Sequence, residues 1–146
     1  MNPFSWSAAD VCEALGISRD ADDDAVYPRV STDTRSLQTG DLFVALRGVR
    51  FDAHEMLSEA KESGAAGAVV SRVPEDAPAD LRYYVVEDTL RGLGALGHFR
   101  RNRSRARVVG VVGSNGKTTT KELVAAILGT RWNTLKPAGS FSPTQI

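Results

Sequence analysis

Arg107 to Glu122 reads RVVGVVGSNGKTTTKE, and the reading of this stretch decides the fold. Arg107 to Val112 predicts a short buried strand, and Thr118 to Leu128 continues with helix-period apolar positions at Leu123, Ala126 and Ile127. Between them lie a glycine-rich turn, Lys117 and a run of threonines. A polyphosphate placed there would meet the open N–H groups of a helix start, where the helix dipole is positive. Gly113 and Gly116 admit backbone conformations and close approach that a side chain would block. Lys117 can reach outer phosphates as a point charge, and the Thr118 hydroxyl can sit on a Mg²⁺ ion beside them.

The match to the general phosphate-loop pattern is incomplete. That pattern wants a glycine five residues before the second one, and Val111 stands there. What remains is Gly-x-x-Gly-Lys-Thr-Thr, which in isolation is also an ordinary strand-to-helix turn. Its context, Val-Val before and three threonines after the lysine, favours nucleotide phosphate.

Working outward, the 146 residues carry 42% hydrophobic and 25% charged side chains, enough for one full core and part of another. Lys plus Arg and Asp plus Glu are 18 each, so no global charge draws the chain to nucleic acid or anionic membrane. The arginines from Arg100 to Arg107 lack an aromatic stacking platform, and a solvated helix end explains them without nucleic acid. Cys12, the single cysteine, sits in a helical pattern and reads as a small buried hydrophobe. No apolar run approaches membrane-spanning length, and Met1 to Ser7 lacks a secretion-signal layout. The cytoplasm, no membrane insertion and a monomer are the expectation.

The order of elements is that of an α/β protein. Ser7 caps a helix over Ala8 to Leu15, stopped by Gly16. Asp20 and Asp22 to Asp24 read as a solvated polar loop rather than a metal cage. Val30 to Thr34 and Asp41 to Leu46 predict strands, Glu55 to Ser63 a helix, and Ala68 to Ser71 and Tyr83 to Val86 interior strands. Asp88 caps a helix with Leu90, Leu93, Leu96 and Phe99 on its apolar stripe. The boundary falls near Asn102 to Ala106, giving units of 1–104 and 105–146. The second holds one strand, one helix and a further extended stretch at Asn133 to Leu135, too little for a covered parallel sheet.

Ser31 to Phe51, STDTRSLQTGDLFVALRGVRF, followed by Asp52 and His54, resembles the amino-terminal domain of the Mur ligases, and Gly113 to Glu122 resembles their ATP loop. Ser114 with Thr120-Lys121-Glu122 resembles most the branch that adds D-Ala-D-Ala; the branch adding the third amino acid is the alternative. The resemblance implies a complete UDP-MurNAc-peptide-binding domain at 1–104 and the start of a central ATP-binding domain at 105–146. It implies an ATP-dependent ligase of peptidoglycan precursor synthesis, joining D-Ala-D-Ala to UDP-MurNAc-tripeptide through an acyl phosphate, with ATP and Mg²⁺.

Carried over by motif, Gly113, Ser114, Asn115, Gly116, Lys117, Thr118 and Thr119 would hold the ATP phosphates, Lys117 in the catalytic role and Thr118 on the metal. Asp33, Thr34 and Arg35 match the family's D-S/T-R element at the UDP-sugar site, Thr34 for the uridine end and Arg35 for a phosphate or a neighbouring carboxylate. Gly48, Val49, Arg50 and Phe51 would form the adjoining wall. Asp33 and Arg35 could equally pair with each other, and His54 reads as a cap or surface residue. After Lys136-Pro137 the family's paired asparagines are absent, and its carbamylated lysine, later magnesium carboxylates and carboxy-terminal domain have no counterparts. This pattern suits a premature end, so a non-catalytic binding module stands beside the ligase reading.

Overall fold

The computed structural model describes residues 5–48 and 51–137. The chain divides at Ser104 and Arg105 into two compact units. In the first, a two-residue strand β1 (Trp6–Ser7) leads directly into α1 (Ala8–Leu15). Ser7 and Asp10 close a capping box: Ser7 Oγ accepts the Asp10 N–H at 3.1 Å, and the Asp10 carboxylate accepts the Ser7 N–H at 3.2 Å. Gly16 stops the helix in the left-handed conformation, φ 67°. β1 pairs antiparallel with β2 (Val26–Tyr27). Neither strand is predicted from the sequence, because two residues carry no alternation to detect.

The main sheet runs β3 (Val30–Ser31), β4 (Leu42–Val44), β5 (Gly67–Val70) and β6 (Arg82–Val85), in that order and parallel throughout. A parallel sheet needs cover on both faces. Here α2 (Leu57–Glu62) covers one, and α1 with α3 (Thr89–Arg103) covers the other. β4 shows the division residue by residue: Leu42 and Val44 join the α1 and α3 cluster, whereas Phe43 joins the α2 cluster. All three are buried, and hiding a side chain of this size contributes about 1.5–3 kcal/mol.

Side-chain hydrogen bonds shift the ends of the predicted elements. β3 stops at Ser31 rather than Thr34, because the Asp33 carboxylate takes the Arg35 N–H at 3.1 Å and opens a 3-10 turn, Thr34–Ser36. The Asp52 carboxylate likewise takes the His54 N–H and starts a 3-10 turn, Ala53–Met56, ahead of α2. Asp41, fully buried just ahead of β4, accepts from Arg29 Nε at 3.3 Å, Arg29 Nη2 at 2.7 Å and the Gln38 N–H at 2.8 Å.

The solvated-loop expectation for Asp22 to Asp24 is corrected at Asp23. That carboxylate is buried, ion-paired to Arg82, and accepts the Tyr84 hydroxyl at 2.9 Å and the Ala25 N–H at 3.2 Å. Tyr84 in turn meets the Tyr27 hydroxyl at 2.8 Å. Arg82 and Tyr84 both come from β6, far away in sequence, so no local pattern reveals them.

The arginines at the end of α3 also have specific partners. Trp6 stacks on Phe99 at 5.9 Å between ring centres, and the Arg100 guanidinium lies 4.2 Å over Trp6 while donating to the Ser5 carbonyl at 2.9 Å. Arg103 covers Phe99 and pairs with Asp10. The first strand and the last helix of this unit are clasped together.

In the second unit, α4 (Lys117–Gly129) is the regular element among the described residues. The strand predicted at Arg107 to Val112 does not form a ladder, nor does Asn133 to Leu135. A strand exists only through N–H and C=O groups paired with a neighbour, and among the described residues of this unit there is none to pair with. No residue between 105 and 137 is buried; Val112 is 97% and Leu135 98% exposed. Among the described residues no helix is long and apolar enough to cross a membrane.

Candidate functional site

Two places carry the residues singled out in the sequence. The first is the turn ahead of α4. Gly116 occupies the left-handed region at φ 74° and serves as the helix cap without any side-chain capping bond. The first-turn amides of an α-helix have no partner inside the helix, so this end suits an anion. The backbone requirement for glycine falls on Gly116 alone; Gly113 lies outside the left-handed region, and a methyl group there would meet the Asn115 carbonyl at an ordinary 3.5 Å. Lys117 Nζ folds over the turn, donating to the Gly113 carbonyl at 2.7 Å and to the Ser114 carbonyl at 3.4 Å. The ammonium therefore sits against the turn that leads into α4.

Ser114, Asn115, Thr118 and Thr119 lie in this turn and the first turn of α4. One turn further on, Glu122 is bracketed by Lys121 at 3.2 Å and by Lys136, whose hydrogen bond, followed by that of Lys121, holds the Glu122 carboxyl below its ordinary range. Lys121 also donates to the Pro137 carbonyl at 2.9 Å, so the segment following the helix is drawn back along it. Among the described residues no group of three or more His, Cys, Asp and Glu is placed to hold a metal ion.

The second place is the carboxyl edge of the parallel sheet, where α/β folds commonly receive ligands. Asp33 and Arg35 follow β3, and they pair: Arg35 Nε and Nη2 donate to the two Asp33 oxygens at 2.9 and 2.8 Å. Thr34 is buried and its hydroxyl donates to Glu59 at 2.6 Å, so the side chain faces α2 rather than solvent. After β4 the chain makes a tight hairpin closed by the Gly48 N–H on the Phe51 carbonyl at 2.8 Å, and it leaves the Phe51 ring exposed. Val49 and Arg50 lie outside the described residues.

Sequence reasoning missed what holds that hairpin. Asp52 Oδ1 lies 2.5 Å from His54 Nδ1, and its Oδ2 lies 3.1 Å from Arg72 and 4.0 Å from Arg47. His54 is buried, against the expectation of a cap or surface residue, and its Nε2 accepts the Ser71 N–H at 2.9 Å with the Ser71 hydroxyl at 3.1 Å. Accepting at Nε2 fixes the neutral tautomer with the proton on Nδ1, donated to Asp52. The Asp-His-Ser order resembles a nucleophile triad, but the lone pair a general base would need is already committed to a main-chain N–H, and solvent does not reach the ring. This is a brace between the sheet edge and the hairpin. Burial alone would raise the Asp52 carboxyl; the hydrogen bonds from the His54 backbone, the His54 ring and Arg72 outweigh it and bring it down to about 2. The only sequence signal was Asp52 two residues before His54, a turn-opening spacing. Ser71 and Arg72 reach the site through strand register.

No family model matches the chain. It is 47% identical over 119 residues to the UDP-N-acetylmuramoyl-tripeptide--D-alanyl-D-alanine ligase of Escherichia coli (strain K12), which covers 82% of this chain and 26% of the relative. A stretch of that length necessarily contains both Asp33 to Phe51 and Gly113 to Thr118. It is 39% identical over 102 residues to the UDP-N-acetylmuramoyl-L-alanyl-D-glutamate--2,6-diaminopimelate ligase of Aquifex aeolicus (strain VF5), with 68% and 20% covered. Among solved structures, MurF from Acinetobacter baumannii matches with a TM-score of 0.74 at 34% identity, over 90% of this chain and 29% of that one. MurF from Thermotoga maritima in complex with ADP matches with a TM-score of 0.59 at 34% identity, over 70% and 23%.

Over the portion it spans, the chain belongs to the Mur ligase family, with an α/β fold and a parallel sheet in common. Within that family it is similar to MurF, and it corresponds to the amino-terminal portion. The chain spans about a quarter of the length of the curated relatives it matches.

Proposed function

We propose that the chain is the substrate-recognising portion of a MurF-type ligase of peptidoglycan precursor synthesis, acting in the cytoplasm. In this reading residues 1–104 hold UDP-MurNAc-tripeptide at the carboxyl edge of the sheet, and residues 105–146 open a phosphate-loop domain that holds ATP. The observation that carries it is the 47% identity running through both motifs in the same order.

The residues present fit the nucleotide. Gly116 shapes the turn, the helix start at Lys117 follows it, and the Lys117 ammonium is stationed against the Gly113 and Ser114 carbonyls. Thr118 would hold Mg²⁺. When bound, ATP supplies the phosphoryl group that activates the peptide carboxylate for attack by the amine of D-Ala-D-Ala. The chain's own contribution to that step is positioning and charge neutralisation: the turn fixes the phosphates and Lys117 offsets their charge. At the sheet edge, Asp33 holds Arg35, Thr34 is braced by Glu59, and Gly48 with Phe51 offers the wall on which the UDP-sugar rests. The MurE-type ligase is the neighbouring alternative.

A second reading has its own support. In it the chain by itself is a binding module without turnover; none of the described residues from 105 to 137 is buried. Phosphate release from ATP, UDP-MurNAc-tripeptide and D-Ala-D-Ala, with Lys117→Ala as control, separates the two. Turnover by this chain alone removes the module reading. Calorimetry with UDP-MurNAc-tripeptide tests the shared premise, and a folded chain that fails to bind it would falsify the substrate-domain assignment.

A further inference from the structure

The net charge of zero conceals a division along the chain. Residues 1–88 carry 17 Asp and Glu against 8 Lys and Arg, and residues 89–146 carry 1 against 10. The positive half is densest around one hydroxyl. Arg100, Arg101, Arg103, Arg105 and Arg107 all lie within four positions of Ser104, no other serine or threonine has more than two arginines that close, and no Asp or Glu stands between Asp88 and Glu122. From this arrangement we propose that Ser104 is a phosphorylation site for a serine kinase with an acidic substrate cleft, and that Arg101 holds the phosphate once it is attached.

A helix end accounts for only part of the cluster. Arg100, Arg101 and Arg103 fall in the last turn of α3, where cations complement the helix dipole. Arg105 and Arg107 lie beyond that turn, where the dipole has faded, and neither makes an ion pair among the described residues. Arginines on both sides of an exposed hydroxyl are what a carboxylate-lined cleft steers towards and grips. The backbone presents the site as well. Ser104 is exposed, leaves α3 in an extended conformation at φ −91° and ψ 133°, and is followed by a stretch without helix or strand as far as Gly113. Such a segment enters a cleft without unfolding anything.

In the transfer, Ser104 Oγ attacks the γ-phosphorus of a nucleoside triphosphate, and the new O–P bond forms as the bond to the β,γ-bridging oxygen breaks. The nucleoside diphosphate leaves, and the hydroxyl proton passes to a carboxylate of the kinase. Arg101 is in place for the product: its Nη1 donates to the Ser104 carbonyl at 3.2 Å, and its own carbonyl accepts the Ser104 N–H at 3.2 Å. The phosphate would sit on the segment that joins the two units and take residues 100–107 from five positive charges to about three.

The catalytic fragment of protein kinase C, which selects serines with basic residues on both sides, tests the site on the whole chain with radiolabelled ATP and mass-spectrometric mapping. About one phosphate per chain is expected, on Ser104, and Ser104→Ala should remove nearly all of it. Arg101→Ala should lower kcat/KM by about tenfold, the size of one hydrogen bond to a charged group, and Arg101→Lys should recover part of the loss. Casein kinase 2, which selects acidic surroundings, should leave Ser104 untouched. Phosphorus-31 titration reads the second half of the proposal: a neighbouring guanidinium favours the dianion, so the phosphate should lose its second proton at lower pH in the unaltered chain than in Arg101→Ala phosphorylated at the same residue. Phosphate directed mainly to another residue, no phosphate at all, equal modification of Ser104 by the two kinases, or one titration midpoint with and without Arg101 each overturn the proposal. Should Arg101→Ala disturb the end of α3, Arg105→Ala outside the helix replaces it in the kinetic comparison, and an undiminished rate there has the same force.

Discussion

The two units of this chain handle the same kind of raw material in opposite ways. Both contain runs of valine, a helix and glycine turns, yet residues 5–104 bury theirs in two clusters on either side of a sheet, and residues 105–137 bury none. The difference lies in neighbours rather than composition. Strand propensity alone would rate the runs VVGVV and LFVAL alike; Leu42 and Phe43 of LFVAL pair with β3 on one side and Leu42 to Val44 with β5 on the other, whereas Arg107 to Val112 has no strand beside it among the described residues. A β-strand is a relation between segments, and a helix is a property of one. That is why α4 forms in the second unit and the adjoining strand does not.

The largest expected break in this comparison is at Phe43. Phe43→Ala should cost about 3–5 kcal/mol of unfolding free energy in the first unit, measured by denaturant titration of Trp6 fluorescence with Trp132→Phe removing the second reporter. Ile127→Ala, an equally apolar residue on α4, should change the same titration by less than about 0.5 kcal/mol. A comparable cost at both positions would mean the second unit shares the core of the first.

Acid sharpens the contrast next. The Asp52 carboxyl is lowered in the folded chain to about 2, so its contribution is fully present above the unfolded value near pH 4 and is lost as the pH falls from about 4 to about 2. That loss amounts to about 2 kcal/mol, and Asp52→Asn should flatten the stability curve over that window. An unchanged acid limb in the variant would remove Asp52 from the brace.

Gly116→Ala is a smaller effect with a sharper location. The left-handed conformation at φ 74° costs a non-glycine residue about 1–2 kcal/mol, and no atom lies within 4 Å to clash with the added methyl group. The variant should weaken ADP binding by calorimetry while the Trp6 titration stays unchanged. Smallest of all in energy is hydrogen exchange: amides of β4 and β5 should open only with global unfolding, and those of α4 far sooner.

Much of the first unit was legible because its signals are local. The bounds of α1 follow from Ser7 and Gly16, α3 begins where Asp88 accepts the Leu90 and Arg91 N–H groups, and the four strands of the sheet overlap the apolar runs that predicted them, β5 and β6 starting one residue earlier. The brace was not legible. Asp52 and His54 are close in sequence, but Ser71 and Arg72 join them only because β4 and β5 lie side by side, and Asp23 is buried only because Arg82 and Tyr84 come back to meet it. In the candidate site, the Gly113 to Thr119 turn was readable as a motif, and the left-handed glycine belongs to Gly116 rather than to both glycines. The Asp33 and Arg35 pair was one of two readings open from sequence, and it is the pairing found here.

The clasp of Trp6 and Arg100 sets an order on biosynthesis. Ribosomes deliver Trp6 nearly a hundred residues before Phe99 and Arg100, so the indole emerges without the ring and the guanidinium that will enclose it. The first unit cannot lock until the whole of α3 has left the exit tunnel, and a nascent chain arrested before Phe99 should expose that indole to a holding chaperone or to a quencher.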